Sequence, residues 1–99
     1  MALQETMRAL ADPTRRQILN LLRQDSLSAG KISEQFDMSA AAVSKHLAVL
    51  KDAGLVRVRQ DGKYLYYELN ASVLEEVLLW LRDLGAKTTP HADGERRSL

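Results

Sequence analysis

The chain has 99 residues, 45% of them apolar, no cysteine and a formal net charge of +1. That length supports one domain with a single modest core. The composition excludes disulfides, thiolate metal sites and thiol catalysis, no run approaches the roughly 18 apolar residues of a membrane span, and Met1-Ala-Leu-Gln-Glu5 is no secretory signal, so a cytoplasmic protein is expected.

Leu3, Met7 and Leu10 recur at i, i+4 and i+7, the apolar stripe of a first helix ending near Ala11. Asp12-Pro13 then supplies an N-cap followed by proline at the first helical position. The second helix is predicted from Pro13 to Arg23, with Ile18, Leu19 and Leu22 facing inward. Gln24-Asp25-Ser26 reads as a loop. Arg15 and Arg16 stand at the start of this helix, where its dipole disfavours cations. A salt bridge within the chain is the expected compensation, with a nucleic-acid phosphate as the alternative.

Ser28 can cap a third helix carrying Ile32 and Phe36 on its inner face. Asp37-Met38-Ser39 forms a turn, with Met38 expected in the core. Ser39 caps a fourth helix that ends where Gly54 supplies a left-handed residue. Val43, Leu47 and Leu50 make its buried stripe. At about 100° per residue, Ala41, Ser44, Lys45 and Ala48 fall on the opposite face. Two short helices joined by a tight turn, the second showing small and cationic residues outward, are how a helix-turn-helix places a probe in the major groove of DNA.

Val56 and Val58 alternate with Arg57 and Arg59 as a half-buried strand, Asp61-Gly62 is a preferred two-residue hairpin turn, and Lys63 to Leu69 returns. Tyr64, Tyr66 and Tyr67 read as strand packing. Asn70 or Ser72 caps a last helix from Val73 to about Leu84, apolar around more of its circumference than one core face requires. Residues 85–99 show no periodicity and read as a disordered tail after a winged domain spanning 1–84. The predicted fold is mainly α with a small β-hairpin wing, in the order α-α-α-α-β-β-α.

Charge is unevenly spread. Residues 39–67 set Lys45, Lys51, Arg57, Arg59 and Lys63 against Asp52 and Asp61, whereas residues 68–84 set Arg82 alone against Glu68, Glu75, Glu76 and Asp83. One basic half suits a protein that shows that end to phosphate.

Asp12-Pro-Thr-Arg-Arg-Gln-Ile-Leu19, Val43-Ser-Lys-His-Leu-Ala-Val-Leu50, and Gly62 with Tyr66-Tyr-Glu-Leu69 together resemble the ArsR/SmtB family of bacterial repressors over residues 3–84. Val73-Leu-Glu-Glu-Val-Leu-Leu-Trp-Leu81 looks most like the SdpR-type members, which lack the family's metal-binding residues. The resemblance implies a winged helix-turn-helix repressor, a homodimer on double-stranded DNA, with Ala40, Ala41, Ser44 and Lys45 facing the groove. The full expected DNA-contacting set is Ser39, Ala40, Ala41, Ser44, Lys45 and His46 with Arg57, Arg59, Gly62 and Lys63 of the wing. Ala40-Ala-Ala42 offers no hydrogen-bonding side chain where many relatives carry a polar group, so shape readout and the wing are expected to carry more of the specificity. Leu3, Met7, Leu10, Leu74, Val77, Trp80, Leu81 and Leu84 are the expected dimer surface.

No cofactor or metal is expected. Ser28 to Phe36 holds no Cys or His, and the last helix carries carboxylates without imidazole. Ser44 and His46 point apart on one helix and cannot form a nucleophile–base pair, so no enzymatic activity is expected. The expected function is a dimeric repressor binding an inverted-repeat operator. The alternative is a protein–protein interaction module that keeps the winged fold without binding DNA. A metal- or ligand-responsive switch is a third reading.

Overall fold

The computed structural model describes residues 3–88. Helices α1 (Leu3–Leu10) and α2 (Pro13–Leu22) are followed by a short strand β1 (Leu27–Ser28), helices α3 (Ala29–Ser33) and α4 (Ala40–Asp52), strands β2 (Val56–Asp61) and β3 (Tyr64–Leu69), and helix α5 (Ala71–Thr88). The architecture is a winged helix-turn-helix.

The caps fix the helix starts. Asp12 Oδ1 accepts from the Thr14 and Arg15 amides at 2.8 and 3.1 Å, ahead of Pro13. Ser28 and Ser39 hydroxyl oxygens accept from the Lys31 and Ala42 amides at 3.2 and 3.1 Å. At the end of α4, Leu55 N donates to Leu50 O (3.0 Å) and Gly54 N to Lys51 O (2.9 Å), with Gly54 at φ +78°. This is a Schellman stop, and its accompanying apolar pair, Leu50 and Leu55, is fully buried.

Ile18, Ile32, Val43, Leu47, Leu50 and Leu55 form the centre of the core, ringed by Ala9, Leu19, Leu22 and Val56. Burying each Val, Leu or Ile side chain among them contributes about 1.5–3 kcal/mol before conformational entropy is subtracted.

Several expectations need correction. The sheet has three strands in the order β1-β3-β2, because Leu27 and Ser28 pair with Tyr67 and Tyr66. The α3 helix stops at Ser33, and Gln35 N→Ile32 O and Phe36 N→Ser33 O bonds tighten the chain beyond it. Phe36 still packs against the core, but Met38 is exposed rather than tucked inside. The α5 helix continues through Gly85 to Thr88, four residues into the segment read as a tail. A glycine inside a helix costs only about 1 kcal/mol, which does not oblige the helix to stop. The remainder of that segment, 89–99, lies outside the described residues.

Candidate nucleic-acid interface

The outward face of α4 carries Ala40, Ala41, Ser44, Lys45 and Ala48, all exposed, behind the exposed capping residue Ser39. The opposite stripe, Val43, Leu47 and Leu50, is at most 1% exposed, so the helix cannot roll without losing its core. The structure thus brings five of the six helix residues singled out from sequence to one solvent-facing end of α4. Ser39 is there as a cap, its oxygen already engaged by Ala42 N.

His46 stands apart. It is half-buried, and its Nδ1 lies 3.2 Å from Arg15 Nη1. A guanidinium only donates, so this bond uses the Nδ1 lone pair and leaves Nε2–H as the ring's donor. The imidazole ties α4 to α2 and does not join the open face.

Arg15 and Arg16 resolve the dipole problem without a carboxylate. Arg15 Nε donates to Ala9 O at 2.8 Å, Arg15 Nη2 to Arg8 O at 3.2 Å, and Arg16 Nη1 to Leu10 O at 2.8 Å. Both cations therefore sit on the carbonyls at the C-terminal, negative end of α1, of which Arg8 O also accepts from Ala11 N, and this offsets their poor position in α2. The expected salt bridge is replaced by helix capping. The same corner lowers the Asp12 carboxyl below its ordinary value, chiefly through the Arg15 backbone N–H and secondarily through that of Thr14, against an opposing effect of burial.

The wing follows at once from the Gly54 turn. Gly62, at φ +65°, lets β2 return as β3 in a register that sets Arg57 opposite Glu68, Arg59 opposite Tyr66 and Asp61 opposite Tyr64. Arg57 and Lys63 are exposed, and Lys63 Nζ stands 5.6 Å over the Tyr64 ring. Arg59 is bound within the hairpin: Nε donates to Glu68 Oε2 at 3.1 Å, Nη1 lies 3.7 Å from Asp61 Oδ2, and its guanidinium carbon is 5.1 Å from the Tyr66 ring centroid. Sequence reading missed Glu68 and Tyr66 as partners because it set the two-residue turn at Asp61-Gly62 and began the return strand at Lys63; the loop residues are Gly62 and Lys63, with Asp61 paired to Tyr64, and that shift sets the register.

The expected dimer surface divides. In α5, Val77 is buried and Leu74 half-buried against the chain's own core, while Trp80, Leu81 and Leu84 are 42–47% exposed. Leu78 and Leu79, not singled out from sequence, are more exposed still at 54% and 56%. In α1 the buried residues are Thr6 and Ala9, Met7 is exposed, and Leu3 and Leu10 are half-buried.

Among the described residues no group of three or more His, Cys, Asp or Glu side chains is placed to hold a metal ion, and no helix is long and apolar enough to cross a membrane.

Residues 12–58 match the family model described as bacterial regulatory protein, arsR family. The chain is 40% identical over 74 residues to the transcriptional repressor SdpR of Bacillus subtilis, covering 75% of this chain and 82% of SdpR. Its fold matches the crystal structure of an ArsR family transcriptional regulator with a TM-score of 0.80 and 28% identity, over 85% of this chain and 92% of the other. A solution structure of a homodimeric winged helix-turn-helix DNA-binding domain from Mycobacterium bovis matches with a TM-score of 0.69 and 29% identity, over 92% and 87% of the two chains.

Proposed function

The chain belongs to the arsR family of bacterial regulatory proteins, and from that premise we propose that it is a homodimeric transcriptional repressor binding an inverted-repeat operator. The α4 helix enters the major groove, and the wing lies along the adjacent backbone. The observation that carries this is the exposed Ala40–Ala41–Ser44–Lys45 face on a helix whose other side is locked in the core. Lys45 suits guanine O6 and N7, Ser44 several base edges, and the alanine methyls the thymine methyl. Arg57, Lys63 and the backbone at Gly62 supply phosphate attraction.

A second copy is inferred from the apolar stripe of α5. Val73, Leu74 and Val77 pack on the domain, and Trp80, Leu81 and Leu84 prolong the same stripe beyond it, uncovered. A symmetric partner would bury that stripe, with Leu3, Met7 and Leu10 of α1 beside it. Two recognition helices about one helical turn apart then require a symmetric operator. The similar Mycobacterium bovis domain is homodimeric, which supports this assembly. Repression follows from occlusion of the promoter in the cytoplasm.

We assign no metal to this function. The sequence has no cysteine and only His46 and His91 as imidazoles; His46 is committed to Arg15, and His91 lies outside the described residues.

The test is selection of bound sequences from a random duplex pool. An inverted repeat with half-sites about one turn apart is the expected result. Recovery of no enriched sequence would contradict the assignment.

A further inference from the structure

The cations of the wing are not equally free to meet DNA. Strand periodicity places Arg57, Arg59 and Asp61 on one face of the hairpin, with Glu68, Tyr66 and Tyr64 opposite them. Glu68 has Arg57 directly across from it and Arg59 on the diagonal, and it bonds the diagonal partner at 3.1 Å. Asp61 approaches the same guanidinium from the turn, and the Tyr66 ring lies beneath it. On this face two arginines are matched by two carboxylates.

That arrangement has a consequence for phosphate binding. A guanidinium stacked on an aromatic ring, hydrogen-bonded to one carboxylate and paired with a second at 3.7 Å is partly engaged and less available to a phosphate. A phosphate approaching the face also meets the negative charges of Glu68 and Asp61 beside the two guanidinium groups. Exposed ion pairs are weak enough to exchange, so the balance can be tipped by removing one carboxylate.

We propose that Glu68, assisted by Asp61, is a brake on DNA binding through the wing. It keeps Arg59 as an internal strut of the hairpin and limits the sequence-independent share of the affinity. Specificity benefits, since less of the binding comes from attraction that every duplex provides. The inference rests on the wing being a DNA-facing element, as proposed above. Within that role, Glu68 and Asp61 are specificity-determining residues that never touch the nucleic acid.

The experiment compares wild type, Glu68→Gln, Arg59→Ala and the double variant by fluorescence anisotropy. Two duplexes serve as probes: one recovered by the selection above and a scrambled one of the same length and base composition. Glu68→Gln should bind the scrambled duplex about three- to tenfold tighter, and its plot of log K against log salt should steepen by about 0.9, the value for one further phosphate contact. The operator should gain less in proportion, so the specificity ratio should fall. Arg59→Ala should erase the gain, lowering affinity more in the Glu68→Gln background than in the wild type. Asp61→Asn should move affinity the same way by a smaller factor. Arg59 and Asp61 are exposed and Glu68 is half-buried, and thermal melting checks that the variants are folded. Wild-type affinity and salt slope in Glu68→Gln would overturn the brake, as would an equal Arg59→Ala effect in both backgrounds. A wild-type protein that binds neither duplex would sink the DNA-binding reading and the brake together.

Discussion

Arg15 Nη1 lies 3.2 Å from His46 Nδ1, joining the start of α2 to the middle of α4 across 31 positions of chain. The same guanidinium caps α1 through Ala9 O and Arg8 O. One side chain therefore holds three helices, and Thr6 Oγ1 adds a second tie, at 3.4 Å, from α1 to Ala53 O at the end of α4.

Arg15→Ala should lower the free energy of unfolding by about 2 kcal/mol, since it leaves the partly buried Ala9 carbonyl and an imidazole nitrogen without their donor. Arg15→Lys keeps a cation at the α1 C-terminus but not the fork, so it should recover only part. Urea denaturation measures both, and an unchanged midpoint in Arg15→Ala would show that the corner is held by other contacts.

Asp12 makes a pH-dependent contribution with a definite sign. Its carboxyl is held below the ordinary value of 3.8, mainly by the Arg15 backbone N–H. A depressed folded-state pKa adds stability that is fully present above the ordinary value and is lost as pH falls through the lower folded one. Asp12→Ala should cost about 1 kcal/mol at neutral pH, a typical N-cap loss. Asp12→Asn keeps an acceptor without the charge. The gap between wild type and Asp12→Asn should close as thermal melts are carried below pH 3.8, and a gap that widens on acidification would contradict the assignment.

Gly54 and Gly62 separate backbone strain from crowding. A Cβ at Gly54 would meet Val73 Cγ2 at 3.5 Å, an ordinary contact, and at Gly62 nothing within 4 Å. Both residues have positive φ. Alanine at either position should therefore cost about 1–2 kcal/mol, through conformation alone. Asparagine, which tolerates that region, should cost less at both sites. Chemical denaturation of the four single variants distinguishes this from steric exclusion, which would penalise asparagine more than alanine.

Much of the architecture was legible because its signals are local. Asp12-Pro13, Ser28 and Ser39 announce helix starts, Gly54 a helix end and Asp61-Gly62 a hairpin. What was missed needed tertiary partners. Two residues, Leu27 and Ser28, are too few to show alternation, and they become a strand only because Tyr66 and Tyr67 present an edge. Arg15 and Arg16 looked in need of carboxylates because the neighbouring end of α1 is not visible in a linear reading. His46 sits in the middle of α4, yet its ring is drawn to Arg15. Leu74 and Val77 were assigned to the dimer surface, yet Val77 is buried and Leu74 half-buried within the single chain, because how far the core extends along α5 is a matter of packing.

Trp80→Glu or Leu81→Glu should leave the fold intact, since both side chains are exposed in the single chain. Either change should yield monomers by sedimentation and weaken operator binding by about 100-fold or more, through loss of the second half-site contact. A wild type that sediments as a monomer at micromolar concentration would rule out the assembly.

The most direct test of the central claim is the salt-dependent affinity of Lys45→Glu for the selected operator duplex. Lys45 is exposed and outside the core, so the variant should melt like the wild type. With α4 in the major groove, the reversed charge should abolish measurable binding. A folded Lys45→Glu protein that binds the operator with wild-type affinity and unchanged salt slope would show that this helix does not read DNA.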